Sequence, residues 1–481
     1  MNLYIINNSF RYELENVTRL FFPNEKINVC EACDSFVKPY IIAESGERLS
    51  LKVEINDFSR EQYADKTDTQ EDERLLCELL YKALCDYSGV TPPWGMLTGV
   101  RPIKFYRQLK NDGGESFADN SFLEKYFVSP EKLSIAKRTE VVEKRVIDLS
   151  SSNSFSLYIG IPFCPSRCRY CSFVQSSVER SGHLIEPYTK LLCDEIKATA
   201  KIASDLGLKL ETVYMGGGTP TTLSPGQLKA VLSAVNDSFD TSSLREFTVE
   251  AGRPDTVDRD KLISIKENRV DRISINPQTL IDPVLENIGR KHNTAQFFGA
   301  YRLAREIGFK SINADLIAGL PGDSFEGFCY SLDNVIKLCP ECITVHTLSM
   351  KRSSSLTQDG TPIERKNAEE AAKMLEYSNL RLSETGYIPY YLYRQTRMVG
   401  NLENTGWAKP AHESLYNIYV MDETHTILGV GAGAVTKLKS PRTGYLKRIF
   451  NYKYPYEYIG RFADLLDRKN EIYTFYKKYV F

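Results

Sequence analysis

Three cysteines fall within the short stretch IPFCPSRCRYCSF (161–173), at Cys164, Cys168 and Cys171. Three thiolates on one loop can hold three irons of a [4Fe–4S] cluster, and the fourth iron then stays open for a substrate or cofactor. A structural zinc site usually needs four ligands. The next cysteine, Cys193, falls inside a predicted helix, so a fourth zinc ligand is not obvious. A zinc site and three free structural thiols are the alternatives to the cluster.

A series of alternating strand-like and helical segments must position this loop. The six strand-like runs are FSLYIG (155–160), ETVYMGG (211–217), REFTVEA (245–251), DRISINPQ (271–278), SINADLIAG (311–319) and CITVHTL (342–348). Stretches with helical spacing lie between them, which predicts an α/β fold with a parallel sheet, as an open or closed barrel. Chemistry in such folds occurs at the carboxyl ends of the strands, where the cysteine loop falls.

Three domains are predicted around this series. Residues 1–150 have the pattern of an α+β domain, with a strand at 51–57, a helix at 71–89 and a solvated helix at 131–146. The polar linker DLSSSNS (148–154) marks the first boundary. The (β/α)6 core then spans 151–362, and a C-terminal α+β domain spans 363–481, beginning with a helix at 366–386 that ends at a glycine.

Composition argues against several classes of partner. The 481 residues carry 61 basic and 62 acidic side chains, so no general surface for nucleic acid or acidic membrane is expected. The sequence contains neither a signal-peptide pattern nor an apolar run long enough for a membrane helix. We therefore expect a cytoplasmic protein whose 11 cysteines are thiols or metal ligands rather than disulfides.

Polar residues and glycines follow the other predicted strands. Glycines at 216–218 precede Thr219 and would let the backbone approach a ligand closely. Four polar side chains lie at or beyond later strand ends, where hydroxyls and a carboxylate could be bound, and Tyr158 lies near the end of the first strand. These four candidates are Glu250, Gln278, Arg290 and Asp315.

The spacing C-x3-C-x2-C after a first strand, with Tyr170 before the last cysteine, resembles the radical S-adenosylmethionine enzymes. The resemblance implies that the open iron binds the amino and carboxylate groups of S-adenosylmethionine. It also implies reductive cleavage to a 5′-deoxyadenosyl radical, which abstracts a hydrogen atom, and hence a low-potential electron donor of flavodoxin or ferredoxin type.

A more specific resemblance comes from the order YIGIPFC…CRYC, GGGTPT, VEAGRPD, ISINPQ, GRKH and ADLIAGLPG. It is similar to the oxygen-independent coproporphyrinogen III oxidases and their heme-chaperone relatives, over about residues 155–350. The three cysteines would then bind the cluster. The residues implied to contact S-adenosylmethionine are Tyr158, Tyr170, Gly217, Gly218, Thr219, Glu250, Gln278, Arg290 and Asp315.

The flanks narrow this resemblance to the HemZ-type branch, the coproporphyrinogen dehydrogenases of Gram-positive bacteria. They are GMLTGVRPIKF (95–105), YYLYRQTRMVGNLENTGWAKP (390–410) and the N-terminal domain. The implied reaction converts propionate side chains of coproporphyrinogen III to vinyl groups, giving protoporphyrinogen IX. Ser172 and Phe173 follow Cys171 where the well-studied oxidases have a further cysteine, which puts a second S-adenosylmethionine in doubt.

Two other functions would use the same cluster and cofactor residues. One is a heme-binding chaperone, and the other is a different radical reaction on a porphyrin, such as methyl transfer or ring opening. Arg394 and Arg397 are candidates to meet tetrapyrrole carboxylates, and His412 is weighed as a heme ligand. The pairs Cys30/Cys33 and Cys339/Cys342 have zinc-type spacing, but they lie in different predicted domains.

Overall fold

The structure, a computed structural model, describes residues 1–31, 36–171, 176–351, 354–358, 365–395 and 398–480. The chain groups into two compact units. The first contains Met1–Lys137, Pro362–Glu369 and Tyr393–Glu403, and the second contains Arg138–Thr361, Glu370–Leu392 and Asn404–Phe481. The predicted boundaries at 150 and 362 stay predictions, because compactness alone does not decide which segments fold independently.

The first unit is built on a five-stranded sheet in the order β2-β1-β3-β4-β5. Its strands are β1 (Asn2–Ile6), β2 (Asn28–Cys30), β3 (Tyr40–Ser45), β4 (Leu49–Ile55) and β5 (Phe58–Ala64). Strand β1 runs parallel to β2 and β3, whereas β3, β4 and β5 form an antiparallel meander. The helices are α1 (Arg11–Phe21), α2 (Thr69–Ser88), α3 (Pro102–Gly113) and α4 (Glu115–Asn120).

Sequence patterning explains the core of this unit. Every second residue of β4 is buried, which confirms the alternating strand predicted at 51–57. These side chains pack in one cluster with apolar residues of α2. Helix α2 confirms the prediction for 71–89: the Asp68 carboxylate accepts the first free amides, and Gly89 ends the helix in the left-handed conformation.

The stretch predicted as a solvated helix is helical, as α5 (Pro130–Ile147). The prediction that this helix is solvated was wrong. Leu133, Ala136 and Val146 are buried at helical spacing. The buried face also includes Glu140 and Glu143, which are 1% and 2% exposed. Charged residues in a sequence window therefore did not mark a surface here, because burial depends on what packs against the helix and not on composition alone.

The second unit contains an eleven-stranded sheet, in the order β14-β15-β13-β12-β11-β10-β9-β6-β16-β17-β18. Six neighbouring strands pair in parallel and match the six predicted runs. They are β6 (Ser154–Ile161), β9 (Lys209–Gly217), β10 (Glu246–Glu250), β11 (Arg272–Ser274), β12 (Ser311–Ala318) and β13 (Cys342–Thr347). The predicted α/β class with a parallel sheet is confirmed.

Helices connect the six strands, as predicted. They are α7 (Ile185–Asp205), α8 (Pro225–Ser238), α9 (Arg259–Glu267), α10 (Asp282–Asn287), α11 (Thr294–Ile307) and α12 (Phe325–Lys337). Local sequence begins them: Ser224 with Gln227 and Asn293 with Gln296 form capping boxes, and Ser324 caps α12. A two-stranded sheet of β7 (Phe163–Cys164) and β8 (Ser176–Ser177) precedes α6 (Val178–Ser181).

The later segments extend the same sheet. Its remaining strands are β14 (Ile388–Tyr393), β15 (Asn404–Ala408), β16 (Thr426–Val430), β17 (Val435–Lys439) and β18 (Leu446–Phe450). Strand β16 pairs in parallel with β6, and β15 pairs antiparallel with β13. The remaining helices are α13 (Ser355–Gln358), α14 (Arg365–Glu384), α15 (Leu415–Asp422), α16 (Pro455–Gly460) and α17 (Phe462–Tyr479). Helix α14 confirms the helix predicted at 366–386. Within the described ranges, no helix combines the length and apolarity that crossing a membrane requires.

Candidate active site

The cysteine loop begins at the carboxyl end of β6, as predicted. Cys164 lies in β7, and the amide of Cys171 donates to the carbonyl of Cys168 at 3.1 Å, which closes a tight turn. Cys164 and Cys168 are buried, whereas Cys171 is partly exposed. The Thr219 hydroxyl lies 3.2 Å from Cys164 Sγ, so the turn after β9 touches the first cysteine.

The cysteine loop is attached to the segment between α10 and α11. The amide of Arg169 donates to the Ile288 carbonyl at 2.9 Å, and the hydroxyl of Ser166 donates to the Gly289 carbonyl at 3.4 Å. These hydrogen bonds hold both halves of the loop. The spacing of the three thiols is therefore determined by contacts outside the motif as well as by the motif itself.

The chemistry of these donors fits the ligation of a [4Fe–4S] cluster by three thiolates. Burial raises the pKa of the Cys164 thiol to about 12, and the nearby Cys171 and Cys168 act in the same direction. Three thiolates packed together need a strong cationic partner to stay ionised. Across the described residues, no three His, Cys, Asp or Glu side chains gather closely enough for one metal ion. A cluster distributes its three ligands over three irons and does not require such a group.

The glycine turn after β9 packs directly on the cysteine loop. The amide of Gly218 donates to the Ile161 carbonyl at 2.6 Å, and that of Thr219 donates to the Phe163 carbonyl at 2.8 Å. A Cβ added at Gly218 would lie 2.5 Å from the Phe163 carbonyl oxygen. Glycine is required here because two backbones meet, whereas the sequence had suggested only a close approach to a ligand.

Replacing Gly218 by alanine is expected to displace the cysteine loop. The atoms that the new methyl group meets belong to backbone and cannot rotate away. We expect a loss of at least about 100-fold in S-adenosylmethionine affinity, equivalent to about 2.7 kcal/mol, measured by calorimetry on anaerobically reconstituted protein.

Gly226→Ala in α8 is the matched control, since an added Cβ there meets no atom within 4 Å. Near-wild-type affinity in Gly218→Ala would contradict the assignment of this turn to cofactor binding.

Three tyrosines, Tyr158, Tyr214 and Tyr416, stack against one another. The ring of Tyr214 lies 4.5 Å from that of Tyr416 and 6.4 Å from that of Tyr158. Tyr158 and Tyr214 are register partners on β6 and β9, whereas Tyr416 comes from α15. The Tyr214 hydroxyl donates a short hydrogen bond to the Glu250 carboxylate. Tyr158 therefore lies beside Glu250 with its ring in a stack.

Burial raises the pKa of Glu250 to about 7, and the neighbouring Asp315 carboxylate acts in the same direction. The Tyr214 hydroxyl, the Gly217 amide and His346 oppose this rise. Burial also raises the pKa of Asp315, but the neighbouring His346, the Asn313 amide, which donates to Asp315 at 2.7 Å, and Thr344 outweigh it, and the net direction is downward. His346 Nε2 lies 3.6 Å from Asp315 Oδ2, so His346 faces this site rather than the core. The pKa of Glu250 therefore lies near neutral pH, whereas the neighbouring Asp315 stays ionised at that pH.

A pH dependence of stability follows from Glu250, which faces Tyr214, Asp315 and His346. Its pKa is about 7 in the folded chain against 4.5 for the ordinary group, so the folded state favours the protonated form. The contribution is complete below pH 4.5 and is lost as pH rises to 7. Relative to Glu250→Gln, the wild type should lose up to about 3 kcal/mol of unfolding free energy between these values. Urea denaturation from pH 4.5 to 7.5 measures this difference, and parallel curves for the two proteins would contradict it.

Two further predicted site residues, Gln278 and Arg290, follow β11 in the chain. Gln278 follows β11 with a φ of 68°, and its backbone pairs with Asp315 and Ile317. In the part of the chain that the structure describes, its buried Oε1 has no hydrogen-bond partner. Such an orphaned acceptor is typical of a site that a ligand completes. Arg290 donates to the Tyr170 hydroxyl at 3.0 Å and to the carbonyls of Gly252 and Asn276. Arg290 thus shapes the site from beneath the cysteine loop.

The structure brings the candidates predicted from sequence to one end of the parallel sheet. The Gly217 amide and Tyr158 lie at Glu250, Asp315 lies beside Glu250, and Thr219 contacts Cys164. Sequence reasoning missed Tyr214, Tyr416 and Arg253. Alternation along β9 could have identified Tyr214, since it shares a face with Gly216. Nothing in the sequence near 416 indicates that its ring reaches β6 and β9.

Arg394 does not face a substrate site, contrary to the prediction. It is 6% exposed, and its guanidinium donates to the carbonyls of Leu97 and Asn401 within the first unit. Its Nη groups are therefore occupied by backbone, and burial lowers its pKa to about 10. Arg397 lies outside the described residues. The two flanking motifs of the sequence, 95–105 and 390–410, are in contact here, because Arg394 of the second donates to the Leu97 carbonyl of the first.

The contacts that the structure shows for His412 are those of its backbone, so its role as a heme ligand stays a prediction. The carbonyl of His412 accepts from Arg272 at 2.7 Å and from the Cys342 thiol at 2.9 Å. Cys342 is buried at the start of β13, and Cys339 is exposed. Cys33 lies outside the described residues, so the Cys30/Cys33 pair stays a prediction.

Comparison with known proteins identifies the class. The model of the radical SAM superfamily matches residues 158–334. The chain is 34% identical to the oxygen-independent coproporphyrinogen-III oxidase-like protein HemZ of Bacillus subtilis, over 95% of this chain and 94% of that protein. It is 33% identical to the heme chaperone HemW of Bacillus subtilis, over 63% and 77% of the two chains. The solved structure of coproporphyrinogen III oxidase HemN from Escherichia coli has a TM-score of 0.54 at 22% identity, covering 67% of this chain and 72% of that one.

The parallel sheet with a three-cysteine loop after its first strand is the architecture of a radical SAM protein. Within that superfamily, the chain belongs to the family of the oxygen-independent coproporphyrinogen III oxidase-like protein HemZ. The resemblance inferred from the sequence motifs is confirmed.

Proposed function

We propose that the chain is a radical SAM enzyme that decarboxylates propionate side chains of coproporphyrinogen III to vinyl groups without oxygen. The observation that carries the proposal is the cysteine loop at the carboxyl end of β6, in contact with the turn after β9, whose Gly217 amide lies at Glu250. The similarity to HemZ over nearly the whole chain supports the choice of substrate. We further propose that the reaction takes place in the cytoplasm with a flavodoxin- or ferredoxin-type donor.

The residues divide the work of holding the cofactors. Cys164, Cys168 and Cys171 would ligate a [4Fe–4S] cluster. When bound and reduced, the cluster with S-adenosylmethionine supplies a 5′-deoxyadenosyl radical. The Gly217–Thr219 turn would receive the methionyl group, and the lowered pKa of Asp315 keeps a carboxylate available for ribose hydroxyls.

Burial around this site serves the chemistry by excluding water. Tyr158, Tyr214 and Tyr416 stack against one another near Glu250 and would limit the access of water to the cofactor residues. The Oε1 of Gln278 has no hydrogen-bond partner among the described residues, and Cys171 is partly exposed. A reactive intermediate held there would meet substrate rather than solvent.

Product analysis tests this function. The cluster is reconstituted without oxygen, and reductant, S-adenosylmethionine and coproporphyrinogen III are added before mass spectrometry. Vinyl products that accumulate together with 5′-deoxyadenosine are expected. If 5′-deoxyadenosine forms while the tetrapyrrole is unchanged, the radical chemistry stands and the proposed substrate is wrong.

A heme chaperone is the second candidate, because HemW of Bacillus subtilis is 33% identical over 63% of this chain. The test is heme binding by the cluster-loaded protein, followed by absorbance. Tight stoichiometric binding with no decarboxylation would favour the chaperone. The same product analysis would reveal a third possibility, methyl transfer to a porphyrin or its ring opening, as a shifted tetrapyrrole mass.

A further inference from the structure

Arg253 lies beneath the cysteine loop and contacts two of its residues. It follows β10 and is 4% exposed. Its Nη1 donates to the Ser166 carbonyl at 3.3 Å and its Nη2 to the Ser166 hydroxyl at 3.1 Å. Nη1 also lies 3.7 Å from Cys168 Sγ. One buried guanidinium therefore holds the backbone of the loop and points a donor at a cluster thiol.

The orientation of this guanidinium is imposed by Asp255. Arg253 Nε donates to Asp255 Oδ1 at 3.0 Å, and Nη2 donates to Oδ2 at 2.9 Å. A bidentate pair of this kind constrains both position and plane. The backbone is held as well, since the Thr256 hydroxyl donates to the Arg253 carbonyl at 2.8 Å. The donor directed at Cys168 is thus preorganised by neighbours outside the loop.

A buried cation next to a thiol has a chemical consequence. A neutral thiol gains little from a guanidinium, whereas an ionised thiolate gains a charge-assisted hydrogen bond. When a thiolate ligates a cluster, donors to its sulfur withdraw charge and favour the reduced state, which raises the reduction potential. Arg253 is placed to do this at Cys168.

We propose that Arg253 is a positioning residue for the cluster, which holds the loop through Ser166 and raises the reduction potential through Cys168. This inference rests on the proposed cluster assignment and is independent of the tetrapyrrole substrate. A lysine would keep the charge but lose the planar fork that reaches Ser166 and Cys168 together.

The test measures the cluster rather than turnover. Wild type, Arg253→Gln and Arg253→Lys are reconstituted without oxygen, and iron per chain and midpoint potential are determined without S-adenosylmethionine. Arg253→Gln should retain severalfold less iron. In the cluster that remains, the equilibrium constant for reduction should fall at least tenfold, a shift of about 59 mV to more negative potential for one electron. Arg253→Lys should also lose iron, but its midpoint potential should shift less from the wild-type value than that of Arg253→Gln.

Arg259→Gln is the matched control, because Arg259 is 58% exposed and pairs with Glu306 on the surface. It should leave iron and potential unchanged. Asp255→Asn gives a second, milder variant if Arg253→Gln fails to fold, and it should shift the potential in the same direction. Wild-type iron and potential in these variants would overturn the inference. Failure of the wild type to bind iron would instead overturn the proposed function.

Discussion

Replacing Cys168 by alanine is expected to abolish both 5′-deoxyadenosine and vinyl products. Two thiols cannot hold a [4Fe–4S] cluster that three thiols hold, and without the cluster no electron reaches S-adenosylmethionine. Cys168 is also the thiol that Arg253 contacts, so its loss removes a ligand and a loop contact together. Product formation should fall to the level of a reaction without protein, and the absorbance of the reconstituted cluster should be lost.

Cys329→Ala is the matched control for this change. Cys329 lies on α12, is partly exposed, and is a free thiol. This variant should reconstitute and turn over like the wild type, which excludes a general effect of removing a thiol. A Cys168→Ala protein that still forms 5′-deoxyadenosine would show that the cysteine loop is not the cluster site.

Breaking a buried ion pair in the first unit is expected to have the second largest effect. Lys132 Nζ lies 2.5 Å from Glu403 Oε1, and these side chains are 7% and 1% exposed. Trp94 Nε1 donates to the other carboxylate oxygen at 2.7 Å. Lys132→Met removes the cation bonded to this buried carboxylate, which costs about 3–5 kcal/mol of unfolding free energy.

Tryptophan fluorescence isolates this unit. The chain has two tryptophans, so in a Trp407→Phe background Trp94 alone reports on it during urea denaturation. The double variant Lys132→Met with Glu403→Gln should recover much of the loss, because the neutral amide still accepts from Trp94. Lys190→Ala is the control, since that exposed lysine pairs with Glu186 on the surface and should change stability by no more than about 1 kcal/mol. A loss no larger than that in Lys132→Met would contradict the expected role of the pair.

The sequence alone determined the repeating part of the fold. Short strand-like runs predicted β6, β9, β10, β11, β12 and β13, and helical spacing predicted the connecting helices. These signals are local, so a short window contains them. The cysteine spacing after the first strand also placed the cluster loop at the correct end of the sheet, because parallel strands align their carboxyl ends.

The tertiary structure decided what depends on residues far apart in the chain. It brought Tyr416 against Tyr158 and Tyr214 and added β16 beside β6. It buried Arg394, whose guanidinium donates to backbone carbonyls. It also made the pKa of Glu250 rise to about 7 by burial beside Asp315. Desolvation and charge pairing depend on every neighbour in space, and local sequence patterns hold no information about neighbours that arrive from distant segments. The sequence therefore named the groups that can react, whereas only packing set their charge, their partners and their access to solvent.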